Sequence, residues 1–253
     1  MCEEEGCDDP SASNWNNGTD GPCEYSLDCA PVDFDNHTYG VVQIGNRCWF
    51  AENLRTTVYA NGDLIPAGLT DSEWTTTTAG ATAVYGEGSS SCGNFSPDID
   101  ACDEMQSLAE YGQLYNWYAV DDARGLCPAG WHIPTDGEWM VLEMELGMSE
   151  SEANSTGWRG TDEGTQLKST SGWLDNGNGT DDFGFSALPG GIRLDFNGGG
   201  SFSNAGSNGS WWSSTPYGGY AGARFLYWYE SGIYRSTSIR TRGYSVRCLR
   251  DGE

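Results

Sequence analysis

The apolar runs in this chain are short, and glycine and asparagine break them. "YGVVQIGNRCWFAENL" (39–54) reads as a strand, a Gly45-Asn46 turn and a second strand, because apolar runs interrupted by turn residues are the local signature of a hairpin. The last hundred residues have the same texture, in "FGFSALPGGIR", "GSWWSST", "RFLYWYESGIYRS" and "GYSVRCLR". Such punctuation favours many short strands. With 36 Gly and 11 Trp among 253 residues, large rings must fill the space between them. At this length one good core and a small appendage are expected.

Two helices stand out. "YGQLYNWYAVDDA" (111–123) sets Leu114, Tyr115, Tyr118 and Ala119 at helical spacing. "PTDGEWMVLEMELG" (134–147) is sharper: Thr135 and Glu138 form a capping box, Met140, Val141, Leu142 and Leu146 follow, and Gly147 stops the run. Residues 60–104 are polar and rich in Gly, Thr and Ser, and read as a long loop region. The fold class is therefore α+β, with two helices, small antiparallel sheets and long loops.

The formal charge is −25 and the only lysine is Lys168. Nucleic acid is not expected as a partner, since phosphate binding needs a basic footprint. No apolar run approaches the ~20 residues of a membrane helix. Nine cysteines in a lysine-poor, Trp-rich chain point to an oxidising compartment. No C-x-x-C pair and only two histidines, His37 and His132, argue against zinc.

The first 30 residues differ from the rest, with four Cys, eight acidic residues and no basic ones. "GCDDPSASNWNNGTDGPCEY" (6–25) resembles a short cysteine-bounded module of bacterial surface proteins, which implies a Cys7–Cys23 bond. The expected division is an acidic Cys-rich module over 1–35 and one domain over 36–253. Cys2, followed by Glu3, Glu4 and Glu5, resembles the lipidated first residue of a Bacteroidetes-type surface lipoprotein after its leader is cut. A free thiol and an intermolecular disulfide are the alternatives there.

Seven motifs in register resemble one family: "VVQIGNRCWFAENLRT", "YGQLYNWYAV", "GLCPAGWHIPTDGEWMVLE", "GTQLKSTSGW", "NGTDDFGFSALPGGIR", "GSWWSST" and "GYSVRCLRD". Together, across roughly 36–251, they resemble the Fibrobacter succinogenes major paralogous domain family. The resemblance implies a C-type-lectin-like fold with its first and last strands close together, and kinship with the variable proteins of diversity-generating retroelements. Family position and proximity pair Cys92 with Cys102, Cys127 with Cys248, and Cys29 with Cys48.

In those variable proteins the segment between the two C-terminal motifs is the ligand-binding face. Residues 223–251, which take in that segment and the last motif, hold six of the twelve basic residues, Arg224, Arg235, Arg240, Arg242, Arg247 and Arg250, among many aromatics. Alternation along "RFLYWY" puts Leu226 and Trp228 toward the core and Phe225, Tyr227 and Tyr229 outward. The expected ligand contacts are Tyr217, Tyr220, Arg224, Phe225, Tyr227, Tyr229, Tyr234, Ser236, Ser238, Arg240 and Arg242. Tyr, Ser, Gly and Arg are what binding loops favour, because Tyr gives contact area at low entropic cost. A half-buried sheet surface whose arginines pair with carboxylates is the competing reading.

The E-P-N, Q-P-D and W-N-D tripeptides of calcium-dependent sugar sites are absent. Asp175, Asp181 and Asp182 are the candidate calcium ligands, without EF-hand spacing. Formylglycine-generating enzymes share the implied fold but need a reactive cysteine pair that this C-terminal half lacks, and a lone His132 is no catalytic set. The expectation is an extracellular, cell-surface binding protein for a protein or glycan, not an enzyme, with no cofactor. A surface-layer or filament subunit that self-associates through the same face is the rival.

Overall fold

A computed structural model describes residues 27–88, 90–195, 197 and 199–252. Cys2, Cys7 and Cys23 lie outside these residues. Two hairpins open the described chain. β1 (Val32–Phe34) pairs with β2 (His37–Tyr39) across Asp35-Asn36, both at positive φ (46° and 59°), as a tight two-residue turn requires. β3 (Val41–Ile44) pairs with β4 (Arg47–Phe50) across Gly45-Asn46, the turn expected from the sequence. The first hairpin spans the expected 35/36 boundary, and Cys29 is bonded to Cys48, so the folded domain takes in the residues just before 36.

The 60–104 region is not a plain loop. It contains α1 (Asp71–Thr76), β5 (Thr82–Val84) and β6 (Cys92–Asn94), then α2 (Glu104–Tyr111) follows. Trp74, Tyr85 and Ala101 from this region pack with Phe202 in a core of their own. The helix expected over 111–123 is also replaced. α2 ends at Gly112 (φ 72°), β7 (Gln113–Tyr115) pairs with β5, and only α3 (Trp117–Val120) is helical, capped by Asn116. All three β7 residues are buried, so no inside–outside period separates strand from helix there.

β8 (Trp131–His132) leads into α4 (Asp136–Glu145), where the expected capping box is present: Thr135 Oγ1 accepts from Glu138 N at 3.2 Å and Glu138 Oε2 from Thr135 N at 2.9 Å. Then come α5 (Glu150–Ala153), β9 (Gly157–Arg159) and α6 (Glu163–Leu167). Six strands complete the chain: β10 (Gly190–Arg193), β11 (Phe202–Ala205), β12 (Asn208–Tyr217), β13 (Tyr220–Tyr227), β14 (Ile233–Ile239) and β15 (Leu249–Arg250). Six α-helices are found among the described residues, against the two expected, and the class is α+β as read from the sequence.

The sheets are small. The largest two run β12-β13-β14-β9 and β3-β4-β15-β8, so the last strand sits beside an early one. The first of these is the centre of the molecule and is covered on both faces. Trp212, Ala223, Phe225, Tyr244 and Val246 form one core, while Trp211, Leu226 and Ile233 meet Trp139 and Leu142 of α4 in the other. Disulfides Cys29–Cys48, Cys92–Cys102 and Cys127–Cys248 tie the sheets and loops together, in the pairs the resemblance implied.

Candidate ligand-binding face

The alternation along β13 is as expected, but its outward face is largely core. Phe225 is buried in the Trp212/Tyr244 cluster and Ser238 is buried with its Oγ 2.7 Å from Tyr244 Oη, so neither is the exposed contact the sequence suggested. The reason is that the 244–246 segment packs over that side of the sheet, a contact invisible in local periodicity. The remaining candidates fall on opposite faces. Tyr217 and Tyr220 pair with each other at the β12–β13 turn, and Tyr217 Oη donates to Asp136 Oδ2 on the α4 side. Tyr227, Tyr234 and Ser236 lie on the other side, where residues of β13 and β14 share a face through the pairs Ala223↔Ser236 and Phe225↔Tyr234.

Arg224 is fully buried and faces α4, correcting its assignment to an exposed ligand surface. It stands directly opposite Arg235 on β14. Like charges so placed repel, and the acids of α4 resolve the conflict. Asp136 and Glu143 are seven residues apart, two turns of one helical face. Arg224 donates to Asp136 Oδ1 and to Glu143 Oε1, both at 2.6 Å, and Arg235 donates to Asp136 Oδ2 at 2.5 Å. Arg159 of β9 grips Glu143 with both terminal nitrogens at 2.6 Å. Burial opposes the charge on Asp136, but Arg235 and Arg224 outweigh it and hold that carboxyl at about 2.

Other C-terminal arginines are also structural. Arg247 is buried, donates to Asn53 Oδ1 and to the carbonyls of Phe50, Phe185 and Ser186 at 2.7–2.9 Å, and lies over the Phe185 ring. Arg240 donates to Gly218 O and covers Trp117, and Arg250 donates to Asp28 O. Arg242 differs. Its Nε is 3.5 Å from Asp195 Oδ2 and its Nη1 3.5 Å from Tyr244 Oη, and a third of the side chain is exposed.

At the β9 margin of the central sheet four rings gather, and the Arg242 charge reaches one of them, Tyr227. Trp158 lies 5.3 Å from Tyr227 and 5.1 Å from Tyr234, centroid to centroid, and Tyr229 lies 5.7 Å from Tyr227. Trp158 is 43% exposed and Tyr229 59%. Burial, and the neighbouring tyrosines after it, raise the Tyr227 phenol, so it stays protonated at neutral pH. Trp158 was missed from the sequence: it comes from "STGWRG", sixty-odd residues before the C-terminal segment. The signal was there, a tryptophan with no apolar neighbour, in a Trp158-Arg159 pair flanked by Gly157 and Gly160.

The calcium candidates do not converge. Among the described residues no group of three or more His, Cys, Asp or Glu is placed to hold a metal ion. Asp181 instead accepts from Ser186 N and Oγ, both at 2.6 Å, closing a turn at φ 50°. Two surface cavities, of about 400 and 550 Å³, are lined by residues within 64–124 and 68–104 and lie away from the ring cluster. Among the described residues no helix is long and apolar enough to cross a membrane.

His132 bridges β8, α4 and the C-terminus. Its Nδ1 is 2.6 Å from Asp251 Oδ1 and its Nε2 3.0 Å from both Glu138 oxygens. Glu138, then Asp251, raise the imidazole above its ordinary value against the cost of burial. A raised folded-state value means stabilisation that is complete below about 6.5 and lost as pH rises through the raised value. The His132→Gln variant should therefore melt below the parent at pH 5–6, the gap closing toward pH 9. The side chain is about a third exposed, so solvent screening keeps the effect small. A melting gap that does not narrow with pH would show that the charge on His132 is not what ties these elements.

No curated protein and no solved structure matches the chain. A family model does, and its match runs from β3 to β15, taking in the central sheet, α4 and the ring cluster. With residues 42–250 matching the Fibrobacter succinogenes major domain, the chain belongs to that family.

Proposed function

We propose that this is an extracellular, cell-surface binding protein without enzymatic activity, which presents its ligand to the β9 margin of the central sheet. We take its fold to be of the C-type-lectin type and its binding segment to correspond to that of the retroelement variable proteins. The observation that carries the reading is the four-ring cluster near Arg242, in which Trp158 and Tyr229 are exposed over the half-buried Tyr227 and Tyr234. Exposed rings grouped next to a loosely held guanidinium are what interface hot spots use, and the other C-terminal arginines are tied to the fold. Three disulfides among the described residues support an oxidising location. His132 supports a non-enzymatic reading, because both ring nitrogens face carboxylates that tie the termini of β8 and α4. Self-association through the same face is the weaker reading, since two copies each carrying −25 repel.

Tyr229→Ala and Arg242→Ala should each weaken capture of whatever ligand a combined protein and glycan array returns. Tyr229 is 59% exposed, so its loss should change stability by no more than ~0.5 kcal/mol. Excess chelator should leave capture intact, since the proposal includes no calcium. Capture that survives both substitutions, or that chelator abolishes, would overturn the assignment of the face.

A further inference from the structure

We infer that the β9 margin is a platform for a neutral, hydroxyl-rich glycan, with Trp158 as its central ring and Arg242 as its main polar contact. This rests on the reading of the same face as the ligand site and names the ligand class. Trp158 comes from the edge strand of the central sheet, outside the C-terminal segment. Its contacts with Tyr227 and Tyr234 are tilted, at 66° and 57°, and Tyr227 meets Tyr229 at 55°. No pair among these four rings stacks face to face, so they do not cover one another's flat surfaces. A large exposed ring on an edge strand is an aggregation hazard that needs a use.

Charge narrows what can lie there. The chain's −25 repels an anionic polymer, and Asp195, 2% exposed behind Arg242, offsets the one nearby cation. A cationic guest would gain from the ring faces but would meet the Arg242 guanidinium. Neither oxygen of Asp195 has a hydrogen-bond partner, and neither does Arg242 Nε. The ring cluster's own rim offers the hydroxyls of Tyr227, Tyr229 and Tyr234. A ligand that fits must present apolar C–H faces to the rings and hydroxyls to their rim, without net charge. A sugar chain does both. A protein partner is less well served, because its hot spots seat aliphatic or aromatic anchors in desolvated pockets, and the two large cavities are elsewhere.

Native affinity electrophoresis of the full chain through gels holding β-glucan, xylan, galactomannan or alginate tests this, run beside a protein array. Retardation by at least one of the three neutral polysaccharides and not by alginate is expected. Trp158→Ala, at a residue 43% exposed, should weaken that retardation roughly tenfold while melting within a few degrees of the parent, and Arg242→Lys, which keeps the charge opposite Asp195 but loses the planar guanidinium, should weaken it several-fold. Retardation untouched by Trp158→Ala overturns the platform. Absence of retardation in every neutral gel, with protein capture that Tyr229→Ala and Trp158→Ala abolish, overturns the glycan assignment while the face survives. No capture on gel or array overturns both readings.

Discussion

Replacing Glu143 with alanine should destabilise the protein by about 3–5 kcal/mol, the usual consequence of removing one partner from a buried ion pair. The side chain is wholly buried, and its two oxygens take the Arg159 and Arg224 bonds, each at 2.6 Å. Alanine would leave two desolvated guanidinium groups facing each other across a void. Arg159 would keep the carbonyl of Ala153, and Arg224 would keep Asp136, so the damage is partial rather than total. Glu143→Gln preserves shape and one acceptor oxygen and should cost less than alanine. Urea unfolding of the two variants gives the comparison, and a loss below about 1 kcal/mol for alanine would mean that water reaches the pair. The same measurement separates the roles of the C-terminal arginines: Arg224→Ala should be costly because it strands both Asp136 and Glu143, whereas Arg242→Ala should cost less, since Arg242 is a third exposed and contacts the buried Asp195 carboxylate only at 3.5 Å.

That contrast marks where the sequence was legible. The crowding of arginines at the C-terminus was plain, but their use was not. The acids that engage Arg224 and Arg235 are Asp136 and Glu143, some ninety residues earlier. Even so, half of the signal was local: two acids seven apart on the same face of α4 as Trp139 and Leu142 are charges placed on an apolar stripe. The α4 boundary was readable because a capping box is a contact within four residues. The same box stands at Thr70 and Glu73, where α1 begins inside a region that looked like loop because its other residues are polar. β13 was readable in its alternation and unreadable in its burial, since the covering residues Tyr244 and Val246 belong to a later segment. Within the candidate site, Tyr227, Tyr229 and Arg242 were found by composition. Trp158 was not, because only the β14–β9 pairing, Tyr234 opposite Trp158, brings it there.

Removing the Cys127–Cys248 bond should cost more than removing either of the other two bonds found here. Its cysteines are 121 residues apart, against 19 for Cys29–Cys48 and 10 for Cys92–Cys102. In the chain-entropy account a cross-link stabilises by restricting the unfolded chain, by roughly 4.7 kcal/mol for a 100-residue loop and by about 3 kcal/mol for a 15-residue one. Measured losses fall at 2–5 kcal/mol, so the ordering is a firmer expectation than the size. The loop it closes contains α4, β9 and the whole central sheet. The bond also acts on the folded side. Cys248 O accepts from Phe50 N at 2.9 Å, and Leu249 then pairs with Trp49 and with His132. Cys127 precedes β8, so the bridge holds β15 between β4 and β8. The paired Cys127→Ala/Cys248→Ala variant keeps the site apolar and avoids burying hydroxyls. Its urea midpoint should fall further than that of Cys92→Ala/Cys102→Ala, and amide exchange at Phe50 should quicken. If the 10-residue bridge proves the costlier to lose, then unfolded-chain entropy is not the main source of the stabilisation, and local packing of the Trp74/Phe202 core against Cys92 is.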